Sequence, residues 1–248
     1  MSTKHILGID VGATGIKGAI VDVESGTLLT EKKKYKTPKP TTPDAVLGEI
    51  KRMVADFNWE GKQIGMGFPS IIKDGVALSA SNIDQAWIGM NVEKFMGDAL
   101  GVEVDVINDA DAAGLAELKF GNIKDTKGLV VFLTLGTGIG SALFLDGKLI
   151  RNTEFGQLKY KKTVTEHYAS NSARENKGLT WRAWAKELNN VLKYIEFIFS
   201  PNLFVLGGGI SKDFEQYSQF LQLKTPIKTA KMFNNAGIIG AAMAHDHR

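Results

Sequence analysis

Residues 4–30 read KHILGIDVGATGIKGAIVDVESGTLLT, and residues 128–151 read GLVVFLTLGTGIGSALFLDGKLIR. Each stretch is an apolar run, a glycine cluster, a second apolar run, a short turn and a third run. In the first, a strand at 4–10 meets Gly12-Ala13-Thr14-Gly15, resumes at 18–23, turns at Glu24-Ser25-Gly26 and ends at 27–30. In the second, 128–135 meets Gly136-Thr137-Gly138-Ile139-Gly140, resumes at 141–145, turns at Asp146-Gly147 and ends at 148–151. Short apolar runs joined by glycine-containing turns predict antiparallel meanders. Two such units half a chain apart predict an internal duplication, and with it two similar lobes facing each other across a cleft.

The glycine clusters are also chemical. Without Cβ atoms, backbone N–H groups converge into an anion nest. Strand follows each cluster, so a dinucleotide-binding turn that opens a helix does not fit, and no GxxxxGK[ST] loop occurs. Two nests in two like units predict a phosphate chain held by both. Asp10, at a strand end, suits Mg²⁺ held through water. Thr14 offers a hydroxyl and Lys17 a positive charge. Gly207, Gly208 and Gly209 follow a strand at 204–206. They suit a nucleotide or further phosphates, and a tight strand-to-helix turn explains them equally well.

Between and after these units the pattern predicts helices at 43–57, 92–100, 180–199 and 236–244, and strands at 65–71 and 102–107. The helix at 180–199 shows Trp181, Trp184, Leu188, Val191, Ile195 and Ile198 at three- and four-residue spacing. Trp181 and Trp184 read as core or subunit interface. Asn108 and Asp109 stand where the strand at 102–107 passes into a helix. Local sequence favours Asp109 as a plain N-cap. The functional reading is a carboxylate that takes a proton from a hydroxyl nucleophile, with Asn108 contacting a sugar hydroxyl. Glu154 and Gln157 are an acid and an amide in a loop, the usual readers of vicinal hydroxyls. Lys32, Lys33, Lys34, Lys36 and Lys39 read as an edge strand protected by lysine, with a polyanion site as the alternative. His245 and His247 read as a frayed tail.

Composition narrows the function classes. The chain has 248 residues, 44% of them hydrophobic and 23% charged, which excludes a disordered chain. No apolar run reaches the roughly 18 residues of a membrane span, and MSTKHILGIDVG is no secretory signal, so a cytoplasmic protein without a membrane partner is expected. Cysteine is absent, which excludes disulfides, thiolate catalysis and cysteine-ligated zinc. A formal net charge of +3 does not describe a nucleic-acid binder.

Taken in order, GIDVGATGIKGAIVD, VINDADAAGLAE, LTLGTGIGSALF, NTEFGQ and LFVLGGGIS resemble the ROK family of sugar kinases. GFPSIIKDGV, ASNIDQAWIG, WAKELN and SPNLFVLGGGISK resemble its polyphosphate glucokinase subgroup. The resemblance covers nearly the whole chain. It implies an α/β protein of the actin-like ATPase fold, the hexokinase/Hsp70 (ribonuclease H-like) architecture. It further implies a small lobe at 1–110, joined by a helix at about 236–248, and a large lobe at 111–235.

The activity it implies is phosphoryl transfer from polyphosphate or ATP to the 6-hydroxyl of glucose. Asp109 would be the general base. Asn82, Asn108, Glu154, Gln157, Glu166 and Gly67 would line the sugar site. Asp10, Gly12, Ala13, Thr14, Gly15 and Lys17 would form one phosphate loop. Thr134, Gly136, Thr137, Gly138 and Gly140 would form the other. Gly207, Gly208 and Gly209 would approach the nucleotide or phosphate chain, and Mg²⁺ would lie near Asp10. A homodimer is implied and zinc is not. The family motif Glu-x-Gly-His reads Glu154-Phe155-Gly156-Gln157 here. That change leaves two alternatives: an ATP-dependent kinase of another hexose, such as mannose or an amino sugar, and a non-catalytic sugar-binding relative.

Overall fold

The same sheet is built twice along the chain. The computed structural model describes residues 5–247, so Lys4, at the start of the first expected strand, lies outside the described residues. The chain separates into two compact units, Met1–Ala116 with Asn235–Arg248, and Glu117–Asn234.

The first unit opens with β1 (His5–Val11), β2 (Gly15–Asp22), β3 (Thr27–Leu28) and β4 (Lys33–Lys36). It continues through α1 (Pro43–Asp56), β5 (Gln63–Phe68), β6 (Ile72–Lys73), β7 (Val76–Ala77), α2 (Val92–Leu100), β8 (Glu103–Asn108) and α3 (Asp109–Phe120). Its sheet runs β3-β2-β1-β5-β8, and β4 also pairs with β2. The meander pairs are antiparallel, whereas β1, β5 and β8 are parallel. β5 is buried along its whole length, as a parallel strand covered on both faces should be. α1 starts on Pro43 and turns Val46, Ile50 and Met53 inward at helical spacing. On the sheet lies the C-terminal helix, Ala236–Ala242, packed against β1 and β5. Its sequence, AGIIGAA, keeps the helix–sheet contact close.

Two expectations are corrected here. β2 begins at Gly15 rather than at 18, because Gly15, Ile16 and Lys17 already pair with β4. His245, expected in a frayed tail, lies in the turn Ala244–His247, with Nδ1 3.6 Å from the buried Asp105 carboxylate.

The second unit repeats the plan with β9 (Leu129–Leu135), β10 (Ile139–Leu145) and β11 (Lys148–Ile150), then β12 (Lys159–Tyr160) and β13 (Thr163–Val164). α4 (Glu166–Ala169), α5 (Asn171–Asn176), α6 (Trp181–Phe199), β14 (Leu203–Gly207), α7 (Phe214–Tyr217) and β15 (Ile227–Thr229) follow. The sheet order is β11-β10-β9-β14-β15, again an antiparallel meander continued by parallel strands.

α6 is capped by Thr180, whose hydroxyl accepts from the Ala183 N–H at 3.2 Å, and it ends at Ser200 in the left-handed region. Trp184, Leu188, Val191, Leu192 and Ile195 are buried. Ile198, expected on that stripe, is exposed. Trp184 is therefore core, while Trp181 is half-buried and stacks on Tyr217 with ring centroids 5.9 Å apart.

Candidate active site

In the first unit, β1 and β2 place Asp10 directly opposite Lys17. The Lys17 Nζ donates to the Asp10 carboxylate at 3.2 Å, with both side chains only partly buried. Past that pair the chain turns through Gly12, Ala13, Thr14 and Gly15, and the Gly12 N–H donates to the Gly15 carbonyl at 3.1 Å. The buried Thr37 was not singled out by its sequence, yet it braces this turn. Its hydroxyl donates to the Gly12 carbonyl at 2.6 Å. Gly237 was also missed. A Cβ there would lie 2.8 Å from the Asp10 carboxyl carbon, so a glycine lets the C-terminal helix start beside that acid.

Further along the sheet, Gly67 on β5 is paired with Asp10, and a Cβ there would meet the Asp109 Cα at 3.7 Å. The cap of α3 corrects the local reading. Asn108, not Asp109, is the N-cap: its Oδ1 accepts from the Ala110 and Asp111 N–H groups at 2.9 and 3.1 Å. Its Nδ2 donates to the Ser70 carbonyl at 3.1 Å. Asn108 is buried, and its amide fixes the strand-to-helix junction. Asp109 then becomes the first residue of the helix, half-buried, with one carboxylate oxygen accepting from the Ala110 N–H at 2.8 Å. Asn82 is exposed in the bend before the short turn Gln85–Trp87.

In the second unit, Thr134 pairs with Gly140 and Leu135 with Ile139. The turn between them closes with the Gly136 N–H donating to the Gly138 carbonyl at 3.0 Å. It is tied to α5 by the Ser172 N–H, which donates to the Gly136 carbonyl at 3.1 Å.

Glu166, the first residue of α4, gathers this site. Its carboxylate accepts from the Ile139 N–H at 3.2 Å and from the Gln157 Nε2 at 2.8 Å. A Cβ on Gly138 would run into the same carboxylate, which is therefore seated directly against the glycine turn. Glu154 is half-buried nearby. Burial, and then the charge of Glu166, push its carboxyl above the usual glutamate range. Two acids, one amide and one glycine turn thus share one site, although they are spread over residues 134–166.

Gly208 follows β14 at φ +83, and a Cβ there would press on the Leu135 backbone, its nitrogen 2.8 Å away. The Gly208 carbonyl accepts from the Ser211 hydroxyl at 2.8 Å. Gly209 faces open space. The glycines after β14 therefore form a tight strand-to-helix turn set against the Leu135 backbone.

The ROK family model matches residues 6–156, more than half of the chain. The chain belongs to the ROK family. It is 46% identical, over 97% of its length and 91% of the relative's, to a polyphosphate glucokinase of Mycobacterium tuberculosis. Identity to the Mycobacterium leprae polyphosphate glucokinase is 44%, over 96% of this chain and 73% of the relative. Among solved structures, the inorganic polyphosphate/ATP-glucomannokinase of Arthrobacter sp. strain KM superposes with a TM-score of 0.94 at 44% identity, covering 97% of this chain and 98% of that one. The α/β architecture of this ROK chain is the actin-like ATPase fold. No helix among the described residues is long and apolar enough to cross a membrane.

Proposed function

We propose that this ROK protein is a polyphosphate- and/or ATP-dependent glucokinase that forms glucose 6-phosphate. The observation that carries the reading is the 46% identity to a polyphosphate glucokinase sustained over 97% of the chain. Asp109 is the general base. Its carboxylate takes the proton of the sugar 6-hydroxyl as that oxygen attacks the terminal phosphorus. The bond from this phosphorus to the bridging oxygen breaks, and the donor leaves one phosphate shorter. The Asn108 cap supports this role by fixing where Asp109 leaves the strand.

Glu154, Gln157 and Glu166 hold sugar hydroxyls, and Asn82 and Gly67 complete the sugar's surroundings. Residues 10–17 and 134–140 cradle the transferred phosphoryl group through backbone N–H groups, with Lys17 adding charge. Gly207, Gly208 and Gly209 receive the remainder of the donor. Asp10 is a hard oxygen donor on a partly exposed side chain, which fits Mg²⁺ bound mainly through donor phosphates. When bound, that ion supplies charge neutralisation on the phosphates. The protein acts in the cytoplasm as a homodimer.

The Arthrobacter relative's name, a glucomannokinase, favours mannose as a second acceptor. The test is glucose 6-phosphate formation with Mg²⁺, comparing polyphosphate with ATP and using Asp109→Asn as the blank. Activity with at least one donor, abolished in the variant, supports the reading. Activity on mannose or an amino sugar but not glucose would move the acceptor. Binding of sugar without turnover would leave a non-catalytic relative.

A further inference from the structure

Residues 32–36 are one basic run in sequence but two surfaces in the fold. Strand alternation divides them. Toward α1, Tyr35 is buried and its hydroxyl donates to the Asp56 carboxylate. Lys33 shares that side, donating to the Asp56 carbonyl with its ammonium 4.9 Å from the Phe57 ring centroid. These groups serve packing.

The other side faces the glycine turn. Lys34 stands directly opposite Lys17, and Lys36 directly opposite Gly15. Both are exposed. The Lys34 side chain crosses the turn itself, since a Cβ on Gly15 would lie 2.8 Å from the Lys34 Cε. Lys32 confirms the face by donating to the Asn235 Oδ1 at 3.1 Å, at the start of the C-terminal helix. β4 is pinned to the turn at its end by the Thr37 hydroxyl on the Gly12 carbonyl.

We infer that Lys34 and Lys36, continuing from Lys17, form a rail that binds the extended chain of a polyphosphate donor beyond its transferred end. This rests on the reading of the first glycine turn as a phosphate loop. Edge protection needs lysines on the edge but does not need two of them opposed. Like charges directly across an antiparallel pair are unfavourable. Asp10 balances Lys17, and no ion pair with Lys34 or Lys36 occurs among the described residues. A polyanion laid along β4 supplies the missing negative charge. Because a triphosphate ends near the turn, the rail would distinguish donors by length.

The experiment compares the parent protein with Lys34→Gln/Lys36→Gln and with Lys51→Gln/Lys73→Gln, which removes the same charge from exposed sites elsewhere. Two quantities are read: KM for polyphosphate chains of many units against tripolyphosphate, and Kd for the long chain by titration calorimetry. In the rail variant, KM and Kd for the long chain should rise about tenfold, against about twofold or less for tripolyphosphate. With two lysine–phosphate contacts removed, the slope of log K against log salt should become shallower by about 1.5. The control should match the parent. Equal shifts for long and short donors, or the same shift in the control, would reduce β4 to a protected edge. If the parent uses polyphosphate and the rail variant behaves like the parent, only the rail fails. If the parent neither binds nor uses long polyphosphate, the donor reading fails with it.

Discussion

The two sheets share a backbone plan and differ in the side chains set around it. Each is a meander followed by parallel strands, and each glycine turn is closed by an apolar pair, Val11 with Ile16 and Leu135 with Ile139. The next pair back differs. In the first sheet it is Asp10 with Lys17, an ion pair built into the strands. In the second it is Thr134 with Gly140, both uncharged, and the charge at that turn comes from Glu166 on a separate helix. After the last parallel strand, β8 leads into Asp109 whereas β15 leads into Ala230. A duplicated backbone therefore does not carry duplicated side chains. The turns themselves differ in length, the Gly12 N–H reaching the Gly15 carbonyl and the Gly136 N–H only the Gly138 carbonyl, and different side chains surround each one.

The sharpest way to break this comparison is at Asp109. If the first unit alone supplies the base, Asp109→Asn should lower kcat by ~10²–10⁴-fold. Sugar KM should change little, measured in a coupled glucose 6-phosphate assay. A variant with near-parental kcat would place the base elsewhere.

The next effect separates two positions within the second turn. Gly138→Ala drives a methyl into the Glu166 carboxylate, while a Cβ on Gly136 meets open space. Gly138→Ala should move the Glu166 carboxylate off the Ile139 N–H, at about 1 kcal/mol of stability, and raise sugar KM. Gly136→Ala should stay within about 0.5 kcal/mol of the parent by thermal melting. Equal destabilisation by the two would show that Glu166 is not held against the turn.

A smaller effect tests the charged pair of the first sheet. Because both side chains are partly exposed, Lys17→Met should change stability by under about 1 kcal/mol. Donor KM should nevertheless rise roughly tenfold, since the same ammonium is proposed to meet phosphate. A large melting shift with unchanged donor KM would make the pair structural instead.

Much of this was legible in the sequence because it is local. The meanders, the glycine turns and the helix at Trp181–Phe199 follow from period and turn chemistry within a dozen residues. The lysine run was legible as an edge strand. What was hidden depends on pairings across the chain. The cap of α3 shifted by one residue because the Asn108 amide has a second partner, the Ser70 carbonyl, 38 positions away. Thr37 and Gly237 look ordinary until the fold sets them against Gly12 and Asp10. Gln157 read as a substitution of a sugar contact. In the structure it donates to Glu166, so the change alters how that carboxylate is held as well as what position 157 presents to a ligand. Strand alternation splits the lysines into two faces, but which face meets the glycine turn required the register of β4 on β2, which local sequence does not specify.

The finest contrast lies within the second site, between its two acids. Burial and the neighbouring Glu166 charge raise the Glu154 pKa, so the folded chain holds that proton more tightly than the unfolded chain does. The sign follows from linkage. The stabilisation from neutral Glu154 is full below the unfolded glutamate pKa and is lost as pH rises through the higher folded value. Above that folded value the site therefore keeps an ionised Glu154 at some expense in stability. Glu154→Gln should raise the melting temperature at pH 7, and the difference should shrink toward zero at pH values where both states carry the neutral acid. Activity should move the other way. Glucose kcat/KM in the parent should fall on the acid side with a midpoint above that of an ordinary glutamate, and the variant should show a lower plateau without that limb. If the melting difference instead grew as pH fell, Glu154 would be stabilised as a carboxylate, and the two acids of this site would not be in competition.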